Sequence, residues 1–433
     1  MTATTTTQPG IIPVAAATAT ATADHMVENG AANGPAKLSG YEFWRTALKG
    51  ARYVAAPMVD QSELAFRKLN RRYGAELCYT PMFHARLFGE SKAYREEQWQ
   101  SDEADRPLVV QFCGNNPEEV LRAALLVQDK CDAVDLNIGC PQHIARRGHY
   151  GSFLQDEWEL LEKIVSLLHK QLSVPVTCKI RVFPDPERTV AYAKMLERAG
   201  AQLLTVHGRT REMKGHKTGL ADWTQIRRVK EAVSIPVFAN GNILRYEDVA
   251  ACIEATGVDG VMSAEGLLYN PALFSGKQPR VWEMAEEYLN ICHDTPTKPC
   301  YIRPHLFKLL RPCLNNHTDL RERLTQARTV ADFAEMVSEL KKRLMQEEES
   351  DTVVDRGINA DTGLPNYPHW QCQPYVRPPL VENKRKLALE EAEAAAAAQI
   401  GRNVSETCCG AEADAQAKRA QTVEASEQLA IAL

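Results

Sequence analysis

The chain has 433 residues, 44% of them hydrophobic, and a net charge of −5, which suits a globular protein with one large and one smaller domain. Its 12 cysteines include no C-x-x-C pair and no matching Cys/His cluster; no apolar run reaches membrane-spanning length, no secretory h-region opens the chain, and the leader is free of Arg. These features argue against a metal site, disulfides, secretion, a membrane anchor and mitochondrial import, and leave a soluble protein of a reducing compartment, expected in the cytoplasm with a nuclear fraction left open.

In chain order, the Thr/Ala runs at Thr4–Thr7 and Ala15–Ala23 lack apolar periodicity and predict a disordered leader over residues 1–38. Eight short apolar runs then predict strands at Arg52–Met58, Ala75–Thr80, Pro107–Cys113, Ala133–Gly139, Pro175–Arg181, Ala201–His207, Pro236–Asn240 and Val258–Ala264. Amphipathic stretches between most of them predict helices at Ser62–Tyr73, Pro117–Asp129, Glu157–Gln171, Glu187–Ala199, Asp222–Val233 and Tyr246–Thr256. Alternating strands and helices imply parallel pairing, and eight such units fit a closed α/β (β/α)8 TIM barrel over residues 41–278. A doubly wound sheet fits less well, because no G-x-G-x-x-G follows the first strand. Residues 279–346 predict a small all-helical domain, with helices at Val281–Ile291, Cys300–Asn315 and Val330–Met345. Residues 347–433 predict a largely disordered tail; the 8 Lys and Arg against 15 Asp and Glu over 346–433 make it the acidic part of the chain.

A barrel carries its chemistry at the C-terminal ends of its strands. Those ends hold Pro57 and Met58, Gln111, Asn137 and Cys140, Lys179 and Arg181, His207 and Arg209, Asn240 and Gly241, and Ala264 with Gly266. Gln111, Asn137 and Lys179 suit a planar polar heterocycle, and a lysine there stabilises negative charge on a reduced flavin. The turns Ala239–Ile243 and Ser263–Leu267 suit a phosphate. Singly, a lysine or histidine is more often a salt-bridge member or a satisfied core group, and the glycines by themselves read better as closing tight loops.

The motifs APM (Ala56–Met58), DLNIGCP (Asp135–Pro141), KIR (Lys179–Arg181), VHGRTR (Val206–Arg211), FANGN (Phe238–Asn242) and AEG (Ala264–Gly266) together resemble the tRNA-dihydrouridine synthases, in particular the eukaryotic position-16/17 subgroup. The resemblance runs from about Tyr41 to Met345 and continues weakly to Pro368–Tyr375. It departs from the wider family at Asp60, where many members carry glycine, and at AEG in place of G-R-G. It implies FMN as cofactor, held by Pro57, Met58, Val59, Gln111, Asn137, Lys179, His207, Asn240, Gly241, Asn242, Ala264, Glu265 and Gly266. It further implies NADPH as reductant, tRNA as partner, and Cys140 as the acid that protonates C5 of uracil after hydride reaches C6.

Cysteine suits that role because its ordinary pKa, about 8.5, keeps it a thiol at neutral pH. Arg146, Arg147, Arg181, Arg209 and Arg211 on the rim, and Arg303, Lys308 and Arg311 in the helical domain, are expected to hold RNA phosphates. Two other functions compete: a flavin barrel reducing a free pyrimidine, and a tRNA-binding or folding factor without catalysis. The basic helical domain argues against the first, and intact Cys140, Lys179 and His207 against the second.

Overall fold

The computed structural model describes residues 37–353, 355–360 and 363–376. Its strands are β1 (Tyr53–Ala55), β2 (Leu77–Tyr79), β3 (Phe83–His84), β4 (Leu108–Cys113), β5 (Ala133–Ile138), β6 (Val176–Arg181), β7 (Leu203–His207), β8 (Val237–Asn240) and β9 (Gly260–Ser263). All pair in parallel. β1 pairs with both β2 and β9, and β2 passes over β3 to pair with β4, so eight strands close a ring and β3 is a two-residue edge on β4. This is the barrel expected from the alternation of elements.

Because successive side chains on a strand face opposite ways, each strand divides into an inner and an outer set. Val134, Leu136 and Ile138 of β5 face out and join the large core beneath the surrounding helices. Inward, Val54, Leu77, Val109, Ala133, Leu203, Phe238 and Met262 form an apolar floor, closed from below by Phe43 and Leu48. Phe43 lies on the helix Gly40–Thr46, whose Ser39 cap closes a capping box with Glu42. One step further along each strand, the inward set turns polar: Gln111, Asp135, Thr177 and Thr205 are buried there. The register brings Asn137 beside Lys179, Arg181 beside His207, and His207 beside Asn240.

The outer helices start where caps allow. Asn116, Asp185 and Asp222 each accept hydrogen bonds from first-turn N–H groups, and Pro117 and Pro186 stand where no N–H is needed. Several elements were not expected: the helices Ala85–Glu90 and Lys92–Gln98 between β3 and β4, His143–Gly148 after β5, and Thr318–Gln326. These are short, and their stability comes from packing rather than from a long periodic stripe. The helix expected over Cys300–Asn315 breaks at Leu310, two residues ahead of Pro312, where the proline ring and its preceding residue disfavour continuation.

The helices from Val281 to Ser350 pack directly on the barrel. Glu63, just before the helix Leu64–Arg72, accepts a 2.7 Å bond from Tyr288 Oη and lies 3.0 Å from His305 Nε2. The His305 ring stacks on Phe66 at 4.1 Å. The boundaries at both ends differ from expectation. Lys37 and Leu38, placed in the leader, bond to the barrel through the carbonyl of His169 and the amide of Gln202. The last helix runs to Ser350, and Trp370 and Cys372, placed in the tail, are buried, with Val281 N–H donating to Trp370 O and Cys372 N–H to Pro279 O. The rest of the leader and the Ala/Glu-rich stretch near 387–400 lie outside the described residues. Among the described residues no helix is long and apolar enough to cross a membrane.

Candidate active site

Asp135 anchors the polar layer. Thr177 Oγ1 donates to one of its oxygens at 2.6 Å and Gln111 Nε2 to the other at 2.8 Å. Burial pushes the Asp135 carboxyl up to about 6, against the pull of these donors and of Lys179. With its N–H group spent downward, Gln111 presents its carbonyl to Asn137 Nδ2 at 2.9 Å. Asn137 Oδ1 in turn accepts the N–H groups of Gly139 at 3.1 Å and Cys140 at 2.9 Å. The turn that carries Cys140 out of β5 is therefore tied, through two amides, to a buried carboxyl.

Across the mouth, Lys179 Nζ donates to Asn240 Oδ1 at 2.9 Å, and Asn240 Nδ2 donates to Met262 O at 2.9 Å. Burial, and then Arg181, hold Lys179 down to about 8. Arg181 is buried and its guanidinium donates to the carbonyls of Gly139 at 2.8 Å, Thr210 at 2.8 Å and Met213 at 3.1 Å. It braces the loops after β5 and β7, a different use from the RNA contact expected for it. Burial, then Arg181, Lys179 and Arg209, hold His207 well below its ordinary range. A neutral His207 accepts at Nε2 from Arg209 Nη1, 3.0 Å away. Arg209 also donates to Gly219 O and to Asn242 Oδ1. Three cations thus converge on one mouth, a placing that favours an anion there.

The turns after β8 and β9 come close to their neighbours. Gly241 has φ of +111°, and a Cβ on Gly266 would stand 2.6 Å from Ile243 O and 2.7 Å from Ser263 Oγ. Pro57, Met58 and Val59 are half-buried after β1, with Ser62 Oγ bonding both the N–H and the carbonyl of Met58. Ala264 and Glu265 are half-buried beside Gly266. Asp60 has φ of +55°, the left-handed region that favours glycine.

Cys140 is only half-buried, whereas all but one of the other described cysteines are buried; the remaining one, Cys300, is exposed. Burial raises its pKa above the ordinary value; the Gln142 N–H, Arg181, Lys179 and Lys214 pull the other way without reversing it. It therefore stays a thiol at neutral pH. Around it, Val59, Met82, Cys113, Ala145, Tyr150 and Phe153 make a small apolar patch, and Ser152 donates from both N and Oγ to the Cys140 carbonyl at 3.0 Å.

Other expected RNA contacts divide. Arg146 and Arg147 are exposed on the helix His143–Gly148 just beyond Cys140, and Lys214 Nζ donates to Pro141 O at 2.6 Å. Arg211 is paired with Asp156 at 3.0 Å. Arg303 caps the carbonyls of Leu324 and Ala327, and Lys308 donates to Gln61 Oε1. Arg311 lies over the Tyr375 ring at 4.3 Å. The sequence reading missed Asp135, Thr177 and Gln155, whose amide supports Arg181 O at 2.9 Å. A period-two signal was available: Asp135 and Thr177 stand two residues before Asn137 and Lys179 and so share their inward face.

A closed parallel barrel with fixed amides, cations and a half-buried thiol at its C-terminal mouth is the architecture of a barrel enzyme. The family described as dihydrouridine synthase (Dus) matches residues 54–356, and the chain belongs to that family. A Mus musculus protein described as tRNA-dihydrouridine(16/17) synthase, NAD(P)(+)-like, is 55% identical over 366 residues, covering 82% of this chain and 76% of the mouse protein. The Schizosaccharomyces pombe tRNA-dihydrouridine(16/17) synthase is 47% identical over 396 residues, covering 85% of this chain and 99% of its own. The Saccharomyces cerevisiae protein of the same description is 48% identical over 369 residues, covering 79% and 87%.

Proposed function

We propose that this chain reduces uridine to 5,6-dihydrouridine at positions 16 and 17 of the tRNA D-loop. The observation that carries the reading is one half-buried thiol, Cys140, set at the rim of a cationic barrel mouth on a turn that Asn137 fixes. The names of the most similar relatives support the substrate and the positions.

The mouth fits FMN. Lys179 brings an ammonium group toward a polar ring edge, the buried Gln111 and Asn137 amides hold the floor beside it, and Arg209 with the close-approaching turns at Gly241–Asn242 and Ala264–Gly266 suits its phosphate. When bound and re-reduced by NADPH, FMN supplies the hydride for uracil C6. Asn137 fixes the backbone of Gly139 and Cys140, and Cys140 holds a proton at Sγ for delivery to C5. Lys179, kept in place by Asn240, offsets negative charge in the mouth. Arg181 keeps the β5 and β7 loops together around that thiol. Arg146 and Arg147, exposed beyond the rim, meet backbone phosphates of an RNA whose target base has left its stack.

The test is to incubate the purified protein with NADPH and unmodified tRNA and to map dihydrouridine. Reduction at 16 and 17 is expected, and Cys140→Ala is expected to lower it by roughly 10² or more. Near-normal product from that variant overturns the role of Cys140. Turnover of free uracil with none on tRNA would replace the RNA substrate by a free pyrimidine, and a colourless protein that binds tRNA tightly would replace the enzyme by a binding factor.

A further inference from the structure

His317, Glu347 and His369 meet at the junction of three separate parts of the helical domain. His317 precedes the helix Thr318–Gln326, Glu347 lies in the last turns of Val330–Ser350, and His369 belongs to the chain segment that returns over the domain. His369 Nε2 lies 2.7 Å from one oxygen of Glu347, His317 Nε2 lies 3.1 Å from the other, and the candidate ligand atoms all fall within 4.8 Å of one another. The His317 Nε2 is buried and, despite that short distance, makes no hydrogen bond. His369 Nε2 is hydrogen-bonded to Glu347, whereas the buried His317 Nε2, 3.1 Å from the other oxygen, is not; two imidazole nitrogens and a carboxylate so placed are the donor set of a cation of the zinc type.

The surroundings support a built site. Cys313 Sγ donates to the backbone carbonyl of His369 at 2.9 Å and Cys313 O accepts the backbone N–H of His317 at 3.1 Å, so one residue ties the two backbone segments together. The Trp370 ring next to His369 is buried, so the segment is anchored at the site. The half-exposed edges of Glu347 and His369 leave room for a water as fourth ligand.

We propose that His317, Glu347 and His369 bind one divalent cation of the zinc type, which fastens the segment around His369 to the helical domain. The expectation of no metal drawn from the sequence rested on cysteine spacing; these ligands come from distant positions and include no cysteine.

The full chain, stripped with a chelator, is titrated with zinc chloride by calorimetry and with cobalt(II) by visible absorption. One equivalent of zinc, a higher Tm with zinc, and weak cobalt bands without thiolate charge-transfer intensity are expected. His317→Ala, His369→Ala and the near-isosteric Glu347→Gln each lose the equivalent and the zinc-dependent Tm rise, while His293→Ala, an exposed histidine elsewhere, keeps both. Circular dichroism of the metal-free variants checks that loss of binding is not loss of fold. No binding by the wild-type chain, undiminished binding by folded Glu347→Gln, or strong thiolate charge transfer overturns the proposal.

Discussion

Lys179 and Arg181 are two residues apart on β6 and both point into the barrel, yet they do different things. Arg181 spends its N–H groups on three loop carbonyls, whereas Lys179 keeps one bond to an amide and faces the mouth. Lys179 therefore titrates in a useful range. Its folded pKa, about 8, lies below the ordinary lysine value, so the fold disfavours its charged form. Two consequences share that sign: stability gains from this group as pH rises from about 8 to the unfolded value near 10.4, and affinity for an anion in the mouth falls as pH passes about 8. Retention of FMN, followed by flavin fluorescence, is expected to weaken above that pH, and Lys179→Met is expected to bind weakly at all pH values without the step. The rim arginines have a separate signature. Arg147→Ala is expected to reduce the slope of log affinity for tRNA against log salt by roughly 0.7–0.9, one phosphate contact, and an unchanged slope would remove Arg147 from the RNA surface.

At the scale of elements, glycine and near-glycine positions decide how closely turns approach the mouth. Gly266 is the second residue of the helix Glu265–Tyr269 and has no room for a methyl group beside Ile243 O. Gly266→Ala is expected to cost about 1–3 kcal/mol in urea unfolding and to reduce FMN retention, because the turn must shift. Asp60 presents the opposite case. Its left-handed backbone and a carboxyl pushed up to about 6 by burial, Glu63 and Glu97 are both relieved by glycine. Asp60→Gly is expected to raise stability by about 1 kcal/mol; a loss would show that Asp60 makes a compensating contact. The strand and helix pattern of the barrel was legible because each unit sets a short apolar run, buried on both faces, before an amphipathic stretch of period 3.6. The short helices between β3 and β4 were not, since a six- or seven-residue helix carries too few periodic positions to stand out.

For the whole molecule, the buried Glu63 cluster is one of several contacts that join the helical part to the barrel. Burial raises the Glu63 carboxyl, but His305 and the Tyr288 hydroxyl outweigh it and the net pKa is lowered. A depressed carboxyl contributes stability that is present above its unfolded pKa, near 4.3, and lost as pH falls below it. Glu63→Ala leaves His305 and Tyr288 buried without their partner and is expected to cost about 3–5 kcal/mol by thermal or urea unfolding. The returning segment packs on the start of the helical part, where Pro279 and Val281 bond to it. Truncation after Ser350 removes the buried Trp370 and Cys372 and is expected to lower stability by roughly 2–5 kcal/mol, read as a lower Tm. An unchanged Tm would mean that the segment contributes nothing to the fold.

The sequence by itself determined the barrel, the strand ends that bear the polar groups, and the place of Cys140 just beyond β5, because these follow from local periodicity and short ordered motifs. Only the tertiary structure decided which cations are free to act. Arg181 and Arg303 look like RNA ligands in one dimension, but folding surrounds them with carbonyls from distant loops and uses their charge internally. Asp135 beneath the amides, the Glu63–His305 attachment, and the meeting of His317, Glu347 and His369 likewise depend on contacts between remote positions. Such contacts are set by chain closure and packing, which leave no local spacing for a sequence to display.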